Sequence, residues 1–178
     1  VESAGNDKVI MISCDLRSIR PEFKGGIIAK LAETLPEISA DKILVNATHT
    51  HSSAPFANPE SFGLKSGDFD AISDQQYREY AIPLIAGAAE DAWKNRKPGG
   101  ISFGLVHAVT SHNRIANYSS GKSKMYGKTD KPDFIHMEGY EDSSVNVLST
   151  WDKEGKLTGL VINIANPSQV SEDSTEIS

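Results

Sequence analysis

Hydrophobic positions near the start of this chain repeat first with a strand pattern and then with a helix pattern. KVIMISCDL (8–16) is a short apolar run typical of a buried strand. In PEFKGGIIAKLAETLP (21–36) the apolar residues recur at helical spacing, and Pro21 suits the first position of a helix. KILVNATHT (42–50) predicts a second strand. A helix of crossover length separates the two strands, so we expect them to be adjacent and parallel.

The middle of the chain predicts a loop and then the clearest helix. Residues 52–72 are rich in Ser, Pro, Gly, Asn and Asp, which is typical of a loop. Residues 73–95 have helical spacing, and Ser73 and Gln76 match a capping box. Pro83 should kink this helix or mark its true start.

The last third of the chain predicts strands. ISFGLVHAV (101–109) indicates a third strand, and residues 110–142 look mostly irregular. Residues 144–166 predict an antiparallel hairpin with its turn at 152–155. The fold class is therefore α/β: a mixed β-sheet with flanking helices and a C-terminal antiparallel hairpin. We expect residues 1–178 to form a single α/β domain, part of a larger catalytic domain.

Composition narrows the possible functions. The chain is acidic, with a net charge of −6 and a pI near 5.3, which argues against a nucleic-acid binder. No apolar run approaches the ~20 residues of a transmembrane segment. The opening residues, VESAGNDK, do not have the pattern of a signal peptide. Cys14 is the single cysteine, so no internal disulfide can form, and we expect this thiol to serve packing.

Two of the five histidines stand together in NATHTHSSAP (46–55). In a continuing strand, His49 and His51 would share one face, with their Cα atoms about 6.7 Å apart. They could then bind one cation, or one could bind the cation while the other contacts substrate. The carboxyl end of a strand is also where α/β sheets bind ligands. The alternative is a pair of surface histidines, and H-x-H alone does not fix the chemistry.

Asp15 ends the first strand as His49 ends the second. If the strands are neighbours, its carboxylate lies beside the histidine pair and could bind a metal or orient an imidazole. Equally, Asp15 could cap the turn that follows. Cys14 should point to the opposite face.

SHNRIANY (111–118) follows the third strand and contains a candidate anion-binding residue. Arg114 could hold a carbonyl or carboxylate oxygen through a forked hydrogen bond, although its local sequence favours an ordinary surface arginine. We expect His107 to be structural and His136 to be an ordinary loop residue.

Three of these segments resemble neutral/alkaline (non-lysosomal) ceramidases, in the same order and at similar spacing. NATHTHSSAP is similar to their T-H-T-H-S-G-P segment, and HNRIANY to their N-x-N-R-S-P segment. EGYEDSSVNVLSTWDKEGKLTGLVINIANPSQV resembles the stretch in which a Y-x-D element leads into a hairpin. Members of this family are zinc-dependent amidases that cleave the N-acyl bond of ceramide. The resemblance implies the front part of such a catalytic domain and a secreted or periplasmic location.

The resemblance also implies roles for individual residues. His49 matches a zinc ligand, and His51 and Arg114 match active-site residues with catalytic roles. Asn113, next to Arg114, is expected to contact substrate. Asn166 stands where a second zinc-binding histidine is expected, so we assign it to substrate binding and expect weakened zinc affinity.

The expected function is a metal-dependent amide hydrolase, with zinc as cofactor and ceramide or another lipid-like or small-molecule amide as substrate. With about three protein ligands needed for catalytic zinc, His49 would be joined by His51 or Asp15. A rearranged metal site and a related hydrolase with another amide or ester substrate remain open. The alternative outside enzymes is a metal-free homologue that acts as a binding or structural protein.

Overall fold

The computed structural model describes residues 7–51, 53 and 73–166, which form two compact units. The described residues as far as Arg96 belong to the first unit, and Lys97–Asn166 form the second. Apart from residue 53, the loop predicted over 52–72 lies outside the described residues.

The first unit is built on a parallel pair of strands. Strand β1 (Ile10–Cys14) pairs with β2 (Ile43–Ala47) along the full length of both. Helix α1 (Pro21–Thr34) connects them and begins at its proline, where the missing N–H has no helical partner to lose. The predicted adjacency and parallel direction of the two strands are confirmed.

Helix α2 (Asp74–Lys94) follows β2 in the first unit. Its first turn has the predicted capping box: the Gln76 backbone N–H donates to Ser73 Oγ, and the Ser73 backbone N–H donates to Gln76 Oε1. Pro83 lies inside the helix, so it does not mark the helix start.

The core of the first unit lies on one face of the β1–β2 pair. Alternate residues of each strand turn toward the two helices, as the period of a strand requires. Phe23, Ile27 and Leu31 of α1 are fully buried there. The other members of this core are Ile10, Cys14, Leu16, Leu35, Ile38, Ile43, Ala81, Ala86, Ala89 and Trp93.

The second unit contains two antiparallel three-stranded sheets. Its strands are β3 (Gly100–His107), β4 (Ile115–Tyr118), β5 (Ser123–Met125), β6 (Phe134–Met137), β7 (Ser144–Trp151) and β8 (Leu157–Ile164). One sheet has the order β3–β7–β8 and the other β5–β4–β6. The predicted C-terminal hairpin is confirmed as β7–β8.

The prediction that residues 110–142 are mostly irregular is wrong, because β4, β5 and β6 lie there. These strands have three or four residues each, too few for a periodic signal, and cross-strand pairing defines them. The α/β class is confirmed; parallel and antiparallel pairs both occur, in three separate sheets.

Large apolar side chains are exposed on the β3–β7–β8 sheet. Phe103 is 75% exposed and Leu105 59%, and of the described residues in this unit only Ala116 is buried. Neither α1 nor α2, the two α-helices of the described residues, is long and apolar enough to span a bilayer.

Candidate functional site

His49 follows the end of β2 and has an unusual backbone conformation. The strand ends at Ala47, and His49 has a φ of 62°, in the left-handed region that non-glycine residues seldom adopt. The prediction that His49 and His51 share a strand face is therefore wrong, because regular alternation ends two residues before His49. A non-glycine residue stays left-handed only where the surrounding structure enforces that conformation, and such residues are frequent at functional sites.

Two hydrogen bonds hold His49 to the segment that follows β1. Its backbone N–H donates to the carbonyl oxygen of Leu16 at 3.0 Å, and its Nδ1 lies 2.7 Å from the carbonyl oxygen of Arg17. A carbonyl only accepts, so Nδ1 carries the proton and the lone pair of the neutral ring is on Nε2. This is the usual arrangement of a metal-binding histidine, in which a backbone carbonyl orients the ring.

The His51 ring contacts the His49 ring. Their centroids are 5.1 Å apart, with an interplanar angle of 69°. The expected closeness of the two imidazoles is therefore present, although an irregular segment rather than a strand face produces it. Two imidazoles this close can bind one cation, or can divide metal binding and proton transfer between them.

Asp15 is the first residue after β1, and its side chain is exposed. The carbonyl groups on either side of it accept backbone N–H bonds from the histidine segment: Cys14 from Thr48, and Leu16 from His49, each at 3.0 Å. Asp15 and the histidines therefore lie at the same carboxyl end of the parallel pair, as predicted. Cys14 turns into the core, where burial and, to a lesser extent, the Asp15 carboxylate raise the pKa of its thiol.

A complete metal site needs more ligands than these residues supply. Within the parts of the chain that the structure describes, no group of three or more His, Cys, Asp and Glu side chains is arranged to hold a metal ion. With Nδ1 donating to Arg17, His49 presents its Nε2 lone pair as a possible ligand, and His51 is its neighbour. Catalytic zinc usually has three protein ligands, so at least one more would have to come from elsewhere.

In the second unit, Arg114 contacts Tyr126, a residue that the sequence interpretation missed. Arg114 Nη1 donates to Tyr126 Oη at 2.8 Å, and its Cζ lies 5.5 Å from the centre of the tyrosine ring. Tyr126 stands in a stretch without periodicity, so the one sequence signal was an aromatic residue directly before Gly127.

Glu141 holds the residues just before Arg114. Its Oε1 accepts the backbone N–H of Asn113 at 3.2 Å and lies 3.3 Å from Nδ1 of His112. Glu141 therefore holds residues 112 and 113, and Tyr126 holds Arg114.

Asn166 lies beside the same segment of the chain. Its Nδ2 donates to the carbonyl oxygen of Thr110 at 2.9 Å, and Ser111 Oγ donates to the carbonyl oxygen of Ala165 at 3.1 Å. These bonds join the residues that follow β3 to those that follow β8, so Asn166 comes close to the start of the Arg114 segment.

The candidate residues thus form two groups, one in each unit. Asp15, His49 and His51 lie at the carboxyl ends of β1 and β2, and Asn113, Arg114 and Asn166 follow the ends of β3 and β8. The approach of Arg114 to His49 stays a prediction. His107 lies on β3 near Ser143, and His136 on β6, so His136 is a strand residue rather than a loop residue.

Comparison with known proteins gives one kind of match. No family profile and no curated protein sequence matches the chain. The crystal structure of neutral ceramidase from Pseudomonas aeruginosa matches with a TM-score of 0.65 and 20% identity, covering 94% of this chain and 25% of that chain. A ceramidase complexed with C2 matches with a TM-score of 0.63, at the same identity and coverage. The chain spans about a quarter of the length of these ceramidases, and it has the fold of that part of a neutral ceramidase.

Proposed function

We propose that this chain is part of a metal-dependent amide hydrolase that resembles neutral ceramidase and cleaves the N-acyl bond of ceramide or a related amide. The observation that carries the proposal is the His49–His51 pair at the carboxyl end of β2, with the His49 ring oriented by the Arg17 carbonyl oxygen. The ceramidase fold of the chain supports it.

Zinc is the proposed cofactor. Nε2 of His49 would bind it, His51 or Asp15 could add a second ligand, and the rest of the set would come from outside this group. When bound, the metal would polarise the amide carbonyl or activate a water molecule. Because Asn166 replaces an expected histidine, we propose a zinc affinity below that of a complete site.

The remaining roles belong to side chains of this chain. With Asp15 as the second metal ligand, His51 would accept and return a proton. Arg114 would hold the substrate carbonyl oxygen through charged hydrogen bonds. Asn113 and Asn166 would contact the substrate through their amide groups. Asn166 would use its Oδ1, because its Nδ2 donates to the Thr110 carbonyl oxygen.

We also propose that the 178 residues belong to a larger catalytic domain. The Cys14 carbonyl oxygen accepts the Thr48 N–H, so the backbone groups of Cys14 point toward β2. Backbone groups alternate in direction along a strand, so those of Met11 and Ser13 point to the edge of β1 that lies away from β2. A groove of about 480 Å³ follows that edge, between β1 and α2. A further strand would fit there, and further chain would cover the exposed Phe103. The secreted or periplasmic location implied by the resemblance is part of this proposal.

The alternative proposal is a metal-free homologue that acts as a binding or structural protein and cleaves no amide. One observation favours it: the Asn166 side chain donates to a backbone carbonyl, which is a structural role.

The test is hydrolysis of a short-chain ceramide by the wild-type protein, with and without a chelator, and by His49→Ala. His136→Ala is the matched control, because it removes an imidazole from β6 in the second unit. We expect the wild-type protein to hydrolyse the ceramide. The chelator and His49→Ala should each abolish this hydrolysis, and His136→Ala should leave its rate unchanged. Hydrolysis that survives both treatments would contradict the metal mechanism. Ceramide binding without any hydrolysis would favour the alternative.

A further inference from the structure

We infer that Tyr126 is a positioning residue for Arg114, which it holds in the orientation needed to meet the substrate carbonyl oxygen. The inference rests on the proposed function, because it assumes that Arg114 contacts substrate. It adds a residue that no motif in the sequence pointed to.

The two side chains are joined in two ways. Arg114 Nη1 donates to Tyr126 Oη at 2.8 Å, and the guanidinium carbon lies 5.5 Å from the ring centre, within the range of a cation–π contact. The backbone adds a further bond, from Tyr126 N to the carbonyl oxygen of Arg114 at 2.7 Å. Both residues are therefore fixed to each other at the main chain and at the side chain.

The backbone at Tyr126 is held in a conformation that tyrosine rarely adopts. Its φ is 54°, in the left-handed region, where the Cβ of a non-glycine residue crowds the following carbonyl oxygen. Such a conformation persists where the surrounding structure enforces it. Here it follows directly after the last residue of β5, so the chain turns sharply at Tyr126.

Gly127 shows what enforces that conformation. A Cβ at this position would lie 2.3 Å from Tyr118 Oη and 2.8 Å from Ala116 Cβ. Ala116 is fully buried and sits on β4, which carries the Arg114 segment. The close approach of Gly127 to β4 fixes the turn, and the turn presents the Tyr126 ring to Arg114.

A fixed tyrosine of this kind has a clear physical effect on an exposed arginine. A free arginine side chain has many rotamers, and binding a substrate oxygen would remove part of that rotamer entropy. The bond to Tyr126 uses one donor and orients the guanidinium plane, which leaves its other donors for substrate. Arg114 would then be ordered before the substrate arrives, as efficient sites require.

The experiment compares Tyr126→Phe, Arg114→Ala and the double variant with the wild-type protein. Tyr80→Phe is the matched control, because Tyr80 and Tyr126 are both 66% exposed. The measurements are kcat and KM for a short-chain ceramide, and the NMR resonance and exchange of the Arg114 Nε–H, which do not depend on activity. We expect Tyr126→Phe to lower kcat/KM roughly three- to tenfold, mostly through kcat, and to broaden or shift the Arg114 resonance.

The double variant separates positioning from general stability. If Tyr126 acts through Arg114, the double variant hydrolyses ceramide at the rate of Arg114→Ala, because losing the Tyr126 hydroxyl has no further effect once the Arg114 side chain is absent. An unchanged Arg114 resonance in Tyr126→Phe would overturn the inference, whatever the activity. The inference would also be overturned if Tyr126→Phe were as active as the wild type while Arg114→Ala was impaired. An Arg114→Ala protein with full activity would instead contradict the role of Arg114 in the proposed function.

Discussion

The Nδ1 atom of His49 lies 2.7 Å from the carbonyl oxygen of Arg17, 32 residues earlier in the chain. Because β1 and β2 are parallel, the segments that follow them leave the strand pair at the same end. The hydrogen bond joins those two segments. It fixes the rotation of the imidazole and leaves Nε2 as the nitrogen with the lone pair.

The first prediction concerns the protonation of this ring. We expect neutral His49 to carry its proton on Nδ1, because the Arg17 carbonyl oxygen can only accept. Long-range ¹⁵N–¹H NMR distinguishes the two tautomers of the neutral ring, and exposed His136 serves as the comparison. A proton on Nε2 of His49 would show that the bond to Arg17 does not form.

The second prediction concerns the left-handed backbone of His49. His49→Gly and His49→Ala both remove the imidazole, so their difference reports the backbone alone. At a φ of 62°, glycine has no Cβ to strain, and we expect the glycine variant to be more stable by about 1 kcal/mol. Urea unfolding measures the two free energies. An alanine variant of equal or greater stability would mean that His49 is not left-handed in solution.

The third prediction concerns two adjacent glycines in α1. A Cβ at Gly25 would have no neighbour within 4 Å, whereas a Cβ at Gly26 would lie 2.5 Å from Ile82 Cδ1. Gly25→Ala should raise the free energy of unfolding by roughly 0.5–1 kcal/mol, because alanine is the better helix former. Gly26→Ala should gain less or lose stability, since α1 and α2 approach closely there. Equal gains at both positions would contradict this close approach.

The fourth prediction concerns Cys14 and pH. Burial, helped by the Asp15 carboxylate, raises its pKa above the ordinary value of 9.0. The folded chain therefore keeps the thiol proton at a pH where the unfolded chain has lost it. This contribution to stability is complete below pH 9 and declines as the pH rises through the folded pKa.

The rate of alkylation by iodoacetamide at pH 8.5 depends on both the thiolate fraction and the accessibility of Cys14, and burial lowers both. We expect slower reaction in the folded protein than in urea, and somewhat faster reaction in folded Asp15→Asn, which removes the smaller cause of the shift. A folded thiol as reactive as the unfolded one would contradict its burial.

Local signals in the sequence predicted much of the fold. The capping box of Ser73 and Gln76 depends on residues three apart, so the sequence contains all of it. The parallel pairing of β1 and β2 follows from the length of the connecting helix. The passage of α2 through Pro83 was harder to predict, because the packing of Ala81, Ala86 and other core residues outweighs one missing N–H.

The candidate site was predictable only in part. The His49–His51 pair is visible as a motif, but the left-handed turn that brings the rings together depends on the carbonyl groups of Leu16 and Arg17. Tyr126 could not be found, because its contact with Arg114 depends on two short strands that have no periodic signal. In both cases the deciding contact lies outside the motif, 32 residues away for His49 and 12 residues away for Arg114.

The most direct measurement of the central proposal is zinc stoichiometry by elemental analysis on the purified wild-type protein, His49→Ala and Asn166→His. We predict substoichiometric zinc in the wild type, because we propose that His49 is a ligand and Asn166 stands where the resemblance implies a second zinc-binding histidine. We predict none in His49→Ala, and tighter binding in Asn166→His if this side chain faces the metal. A wild-type protein whose zinc content is unchanged by His49→Ala, or which hydrolyses ceramide without any metal, would contradict the proposal.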